Sequence, residues 1–183
     1  SMVLAYGTWL ELSDTATTML NAATGIGIVV GAMIAGRISR DRIEGGLIPL
    51  GLLGMAASVL IIQIDPRSVW LVRGALFCMG ISAGLFTIPI RSLIQGLPRE
   101  EKRGSVQGLA ETMDFIGIFL AGGLMWLLEK HLGLTPPQMF LVGGALIGIF
   151  ACATLVITAE YFVRLVILAI THTFYKVDYR GSG

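Results

Sequence analysis

The chain has 183 residues, 55% of them hydrophobic and 14% charged, with a mean hydropathy of +0.80 and a net charge of +1. Soluble domains average ~45–50% apolar and ~25% charged, and a chain this size cannot hide so much apolar surface in one aqueous core. An ordinary soluble enzyme, a disordered tail and a disulfide scaffold are excluded, and the small net charge leaves no basic field for nucleic acid.

Read in chain order, Ser1-Met2 does not begin a signal peptide, because no basic segment precedes an apolar core. Val3 to Leu10 is apolar but too short to span and reads as the tail of a preceding helix, so the chain is expected to be a fragment of a larger one. A spanning helix needs ~20 mostly apolar residues. Five stretches meet this: Thr15–Gly36, Gly45–Ile64, Val69–Ile90, Gln107–Leu128 and Met139–Ala159. Between them lie a charged loop from Arg37 to Glu44, the tight turn Asp65-Pro66-Arg67-Ser68, a loop from Leu97 to Gly104, and a break from Glu129 to Pro137. The strict alternation of a transmembrane β-strand is absent.

Lysine and arginine set the orientation. Ten fall on one side: Arg37, Arg40, Arg42, Arg91, Arg99, Lys102, Arg103, Arg164, Lys176 and Arg180. Arg67, Arg73 and Lys130 fall on the other. The bias places the first group in the cytoplasm, the N-terminus outside and the C-terminus inside. Trp9, Trp70 and Trp126 then all fall at outer helix ends, as an interfacial belt requires. Beyond the fifth span, Glu160 to Lys176 is expected to lie along the inner membrane face as an amphipathic helix. The expected architecture is all-α: five transmembrane helices in residues 3–159, with 160–183 as an amphipathic linker.

Small residues recur four apart at Gly27/Gly31, Ala32/Gly36, Gly80/Gly84, Gly117/Ala121 and Gly144/Gly148, a spacing that lets membrane helices approach closely. Cys78 and Cys152 lie in apolar runs, without metal-ligand spacing or a reason to pair.

Charges inside the spans say more. Glu111 and Asp114, three residues apart, share one face of the fourth span. A charge facing lipid at the helix centre costs ~2.5–3.5 kcal/mol, so both should face protein or water. Two readings are open: a substrate or proton site, or a cytoplasmic vestibule bonded to a neighbouring loop. Arg91 follows Pro89 near the inner end of the third span, where the proline is expected to kink the helix. Arg91 either points to the loop or snorkels to lipid phosphate. Asn21 shares a face with Thr24 on the first span and could bond a neighbouring helix. Candidate substrate-binding or proton-coupling residues are therefore Glu111, Asp114, Arg91 and Asn21. No nucleophile–base pair, phosphate loop, metal site or cofactor motif is present in the sequence.

The residues themselves resemble a known family. Gly25-Ile26-Gly27-Ile28-Val29-Val30-Gly31-Ala32-Met33-Ile34-Ala35-Gly36-Arg37-Ile38-Ser39 resembles the eighth helix of a major facilitator superfamily transporter and its exit loop. Arg42-Ile43-Glu44 with Leu47-Ile48-Pro49-Leu50-Gly51 resembles the start of the ninth helix in the lysophospholipid transporter branch. Ile88-Pro89-Ile90-Arg91-Ser92-Leu93-Ile94-Gln95 with Pro98-Arg99-Glu100-Glu101-Lys102-Arg103-Gly104-Ser105-Val106-Gln107 resembles the tenth helix and its loop. Arg164-Leu165 and Thr171-His172-Thr173-Phe174-Tyr175-Lys176 resemble the junction of carriers fused to a glycerophospholipid acyltransferase. The superfamily's loop motif is imperfect, because Asp41 falls one place late after Gly36.

The resemblance implies the second half of a twelve-helix carrier in a bacterial inner membrane, the end of helix seven plus helices eight to twelve. Its partners would be the bilayer, the missing N-terminal half, a lysophospholipid substrate and a possible fused acyltransferase domain. A small polar solute or drug as substrate, or service as an acyltransferase anchor, are the alternatives it leaves.

Overall fold

A computed structural model describes residues 2–39, 45–96 and 98–157. The expected interfacial helix at 160–176 lies outside the described residues. Six helices follow one another: α1 Met2–Trp9, α2 Asp14–Ile38, α3 Leu47–Ile64, α4 Val69–Gly96, α5 Glu100–Leu132 and α6 Pro136–Ile157. The last five are each long and apolar enough to cross a bilayer. This is a multi-pass, all-α membrane protein.

The helix ends follow local chemistry. Ser13 caps α2, its hydroxyl accepting from the Ala16 N–H at 3.3 Å, and Asp14 sits in the first turn beside the positive end of the helix dipole. Thr135 precedes α6, where Pro136 and Pro137 need no intrahelical partner, and its N–H donates to Gln138 Oε1 at 2.9 Å, half of a capping box. The Asp65–Ser68 turn forms as expected, with the Arg67 N–H donating to Asp65 Oδ1 at 3.2 Å.

Two boundaries differ from expectation: the Glu129–Pro137 break narrows to residues 133–135, since α5 runs to Leu132 and α6 starts at Pro136. The anticipated Leu97–Gly104 loop is only a short break around Pro98, and the charged run Glu100-Glu101-Lys102-Arg103 is helical. Glu100 and Glu101 complement the α5 dipole, and these residues are good helix formers. The 33 residues of α5 span ~50 Å, well beyond a ~30 Å hydrocarbon core. Pro89 is buried within α4, which runs on through it as one helix to Gly96.

Glycines bring four helices together. A Cβ on Gly27 would overlap the Phe77 carbonyl, one on Gly31 the Ile81 carbonyl, and one on Gly80 the Thr24 carbonyl. Gly84 faces Ile28 and Ala32 in the same way, so α2 and α4 pack backbone against backbone. Gly51 meets Ser82 and Phe86 of α4, and Gly144 of α6 meets Val59 of α3. The other expected small-residue contacts do not form, since a Cβ on Gly36, Gly117 or Gly148 would meet open space.

A core cluster of Tyr6, Leu20, Val59, Ile62, Val72, Ala75, Leu76 and Phe140 joins α1, α2, α3, α4 and α6 near the 65–68 turn. The Tyr6 hydroxyl donates to the Pro66 carbonyl at 2.6 Å, tying α1 to that turn. Gln63 ties α3 to α6 by donating to the Pro137 carbonyl at 2.8 Å. Outside this bundle stands α5, of which Leu128 is the one buried residue.

Candidate functional site

The three charged candidates of α4 and α5 converge. Arg91 Nη1 lies 2.6 Å from Glu111 Oε1, and Arg91 Nη2 lies 2.5 Å from Asp114 Oδ2. The arginine therefore grips two carboxylates with separate arms of its fork. The one-turn spacing of Glu111 and Asp114 makes this possible, because it presents both acids to a single partner. These are the ion pairs among the described residues. Arg91 thus reaches across to α5, and neither of the two orientations expected from sequence is adopted.

The cluster lies toward the end of the bundle where α4 ends and α5 begins. Asp114 and Glu111 are 12 and 15 residues from Trp126 along α5, or ~18 and ~22 Å. Arg91 is 21 residues from Trp70 along α4, or ~31 Å. Trp70 and Trp126 lie toward the opposite end of the bundle from the triad. Its formal charge is −1, one guanidinium against two carboxylates. All three side chains keep more than a third of their surface open, at 37%, 49% and 52%. The arrangement can exchange an internal ion pair for a ligand that offers an ammonium to the acids and an anion to the arginine.

The same face of α5 continues apolar. At 100° per residue, Phe115 and Ile118 fall within ~40° of Glu111 around the helix. Phe115 is 71% and Ile118 70% exposed. Charged and apolar surface thus succeed one another along one stripe.

Asn21 is not part of this cluster. The glycine contacts set residues of α2 level with those about 53 positions later in α4, and Arg73 Nη2 lies 3.9 Å from Met19 Sδ in the same register. Asn21 is then level with about residue 74, some 17 residues or ~26 Å from Arg91. Its amide donates to the Thr17 carbonyl at 3.3 Å, and Thr24 donates to Leu20 at 3.2 Å. Both polar groups are satisfied within α2, so the expected inter-helix bond is not made.

The opposite end carries an aromatic belt. Arg73 stacks over Trp70 and Lys130 over Trp126, each cation 4.9 Å from the ring centroid. Trp9 packs edge-on against Tyr6 at 5.7 Å. All three tryptophans occupy one end of the bundle, as the sequence led us to expect.

Five helices able to span a bilayer, four of them seamed by glycines and α5 joined to α4 by the charged cluster, define a polytopic membrane protein. The chain belongs to the Major Facilitator Superfamily, whose family model matches residues 1–122. Among individual proteins it is similar to the lysophospholipid transporter LplT of Yersinia enterocolitica, 36% identical over 88 residues, 47% of this chain and 21% of that protein. It is also similar to the LplT of Photorhabdus laumondii, 32% identical over 93 residues, 50% of this chain and 23% of that protein. A third relative, the LplT of Yersinia pestis strain Pestoides F, is 35% identical over 88 residues. The chain spans about a fifth of the length of these curated relatives. No solved structure matches.

Proposed function

We propose that the chain forms one wall of a carrier that moves lysophospholipid across a bacterial inner membrane by alternating access. In this reading the bundle is the second half of the carrier, residues 3–159, and rocks against a first half that it does not contain. Orientation follows the lysine and arginine bias, with the triad toward the cytoplasm and the tail inside.

One observation carries the choice of substrate class: the triad and the apolar stripe adjoin on the same face of α5. A lysophospholipid is built in the same order, a charged headgroup and then a single acyl chain. Its phosphate would take Arg91, an amine would take Glu111 or Asp114, and the chain would lie along Phe115 and Ile118. A zwitterion leaves the cluster's net charge of −1 unchanged, and an ammonium shared between the two acids replaces the arginine they share, so no further ion is left alone in low dielectric. A small polar solute would leave the apolar stripe unused, and a simple anchor for an acyltransferase would need no triad at all. The names of the similar proteins point the same way.

The test is uptake by the intact carrier in inverted and right-side-out vesicles. Labelled lysophosphatidylethanolamine should cross, while glycerophosphoethanolamine, which has the headgroup but no chain, should not be carried at a comparable rate. Carriage of the chainless compound with no movement of the lysolipid would establish a polar-solute carrier instead.

A further inference from the structure

A second pair of charges lies at the other end of the bundle. The connection from α1 to α2 closes as a Schellman motif: the Glu11 N–H donates to the Thr8 carbonyl at 3.1 Å and the Leu12 N–H to the Gly7 carbonyl at 3.0 Å. That motif requires a left-handed backbone at its closing residue, where glycine is the usual choice. Here the residue is Glu11, at φ 53, the one non-glycine with positive φ among the described residues. The end of α5 uses Gly133, at φ 60, in the comparable place. A glutamate held against its own backbone preference points to work done by its side chain.

Glu11 lines a cavity of about 450 Å³ together with Trp9, Leu10 and Arg67. Neither the Glu11 carboxylate nor the Arg67 guanidinium has a partner among the described residues. Opposite charges on one cavity, not closed on each other, leave room for a ligand carrying both. We propose that this cavity binds a zwitterionic phosphate ester, its ammonium on Glu11 and Trp9 and its phosphate on Arg67, as a first docking point for the headgroup. The assignment to a carrier's substrate rests on the lysophospholipid reading above. A cavity of this size suits a headgroup but not a whole lysolipid.

The experiment uses the whole carrier in vesicles, with its cysteines, including Cys78 and Cys152, replaced by serine and Leu10→Cys introduced. A membrane-impermeant maleimide is added from the face the 65–68 turn occupies. Glycerophosphoethanolamine at about four times its Kd should slow labelling about fivefold, with lysophosphatidylethanolamine doing the same. Glycerol 3-phosphate or ethanolamine alone should protect weakly. Glu11→Gln and Arg67→Gln should each abolish the protection. Glu11→Gly should abolish it too while raising the melting temperature, because it removes the carboxylate and relieves the backbone together. Protection by the lysolipid alone would keep the site and assign it to lipid; protection by both would assign it to the headgroup chemistry itself. Equal protection in Glu11→Gln, no protection by either compound, or no labelling from that face would overturn the site. Lysolipid uptake measured in the same vesicles separates the two ideas: uptake without protection removes the docking site alone, and protection without uptake removes the carrier reading alone.

Discussion

Replacing Gly84 by alanine should loosen the seam between α2 and α4. A Cβ there would stand 2.6 Å from Ile28 O and from Ala32 N, where ordinary contact begins at 3.4 Å. Both obstacles are backbone, so no side chain can swing away, and the helices must part by about 0.8 Å. A gap of 0.5–1 Å forfeits roughly a quarter to a half of each contact's dispersion energy, and over-packed sites generally cost ~1–3 kcal/mol. Alanine recovers up to ~1 kcal/mol as a better helix former. The net expectation is a loss of about 2 kcal/mol, which is close to thirtyfold in the folding equilibrium. The assay is reversible unfolding of the intact protein in mixed micelles, with Gly36→Ala as the control, since a Cβ there meets nothing. The control should stay within about 0.5 kcal/mol of wild type or gain stability. A Gly84→Ala protein as stable as that control would refute the backbone-to-backbone packing.

Other outcomes follow from the same structure. A cysteine replacing Ser105 should react with impermeant maleimide only after the cytoplasmic face is opened; labelling of intact cells from outside would reverse the orientation. A reporter active only in the periplasm, fused after Gly183, should stay silent, because residues 161–175 are too few to cross and Lys176 and Arg180 belong to the positive-inside set. Tyr6→Phe should cost about 1 kcal/mol, the usual worth of a hydrogen bond such as the one to Pro66; an unchanged unfolding midpoint would show that α1 is not held there.

Much of the fold is written in the sequence because lipid imposes a simple requirement. Any backbone segment crossing the bilayer must bond to itself, so runs of apolar residues without Asp, Glu, Lys or Arg announce helices directly. The spans at 15–36 and 45–64 are of this kind, and α2 and α3 cover them nearly residue for residue. The tryptophans carry equally local information, since each marks an interface on its own. Pairwise facts are less legible. Gly27 and Gly117 occupy the same kind of four-residue spacing, yet one is pressed on a carbonyl and the other meets nothing. Spacing states which face a glycine is on, and only the neighbouring helix decides whether that face is covered.

The candidate site divides the same way. Glu111 and Asp114 are recognisable as one-face carboxylates, because their separation is a property of a single helix. Their partner is a property of two. Counting inward from the expected 97–104 loop, Arg91 and Glu111 stand at equal depth on adjacent antiparallel spans, a signal sufficient to propose the pairing. Asn21 was a plausible candidate by residue type, but a short amide on a helix can satisfy itself on the preceding turn, and it does so with Thr17. Glu11 gave no signal in sequence, since its backbone conformation is visible only once the turn is formed.

The central claim is that the Arg91–Glu111–Asp114 cluster meets the substrate, and transport per folded molecule tests it most directly. Asp114→Asn, Glu111→Gln and Arg91→Gln are made in the intact carrier, with Asp114→Leu alongside. Lysophosphatidylethanolamine uptake is then divided by the amount of correctly folded protein. The account expects Asp114→Asn and Arg91→Gln to lose at least about tenfold in uptake, more than ~1.4 kcal/mol of transition-state stabilisation, with unfolding midpoints near wild type. Asp114→Leu should impair uptake more than expression. Normal uptake by Asp114→Leu and Arg91→Gln would contradict the account and leave the triad as a structural clasp between α4 and α5.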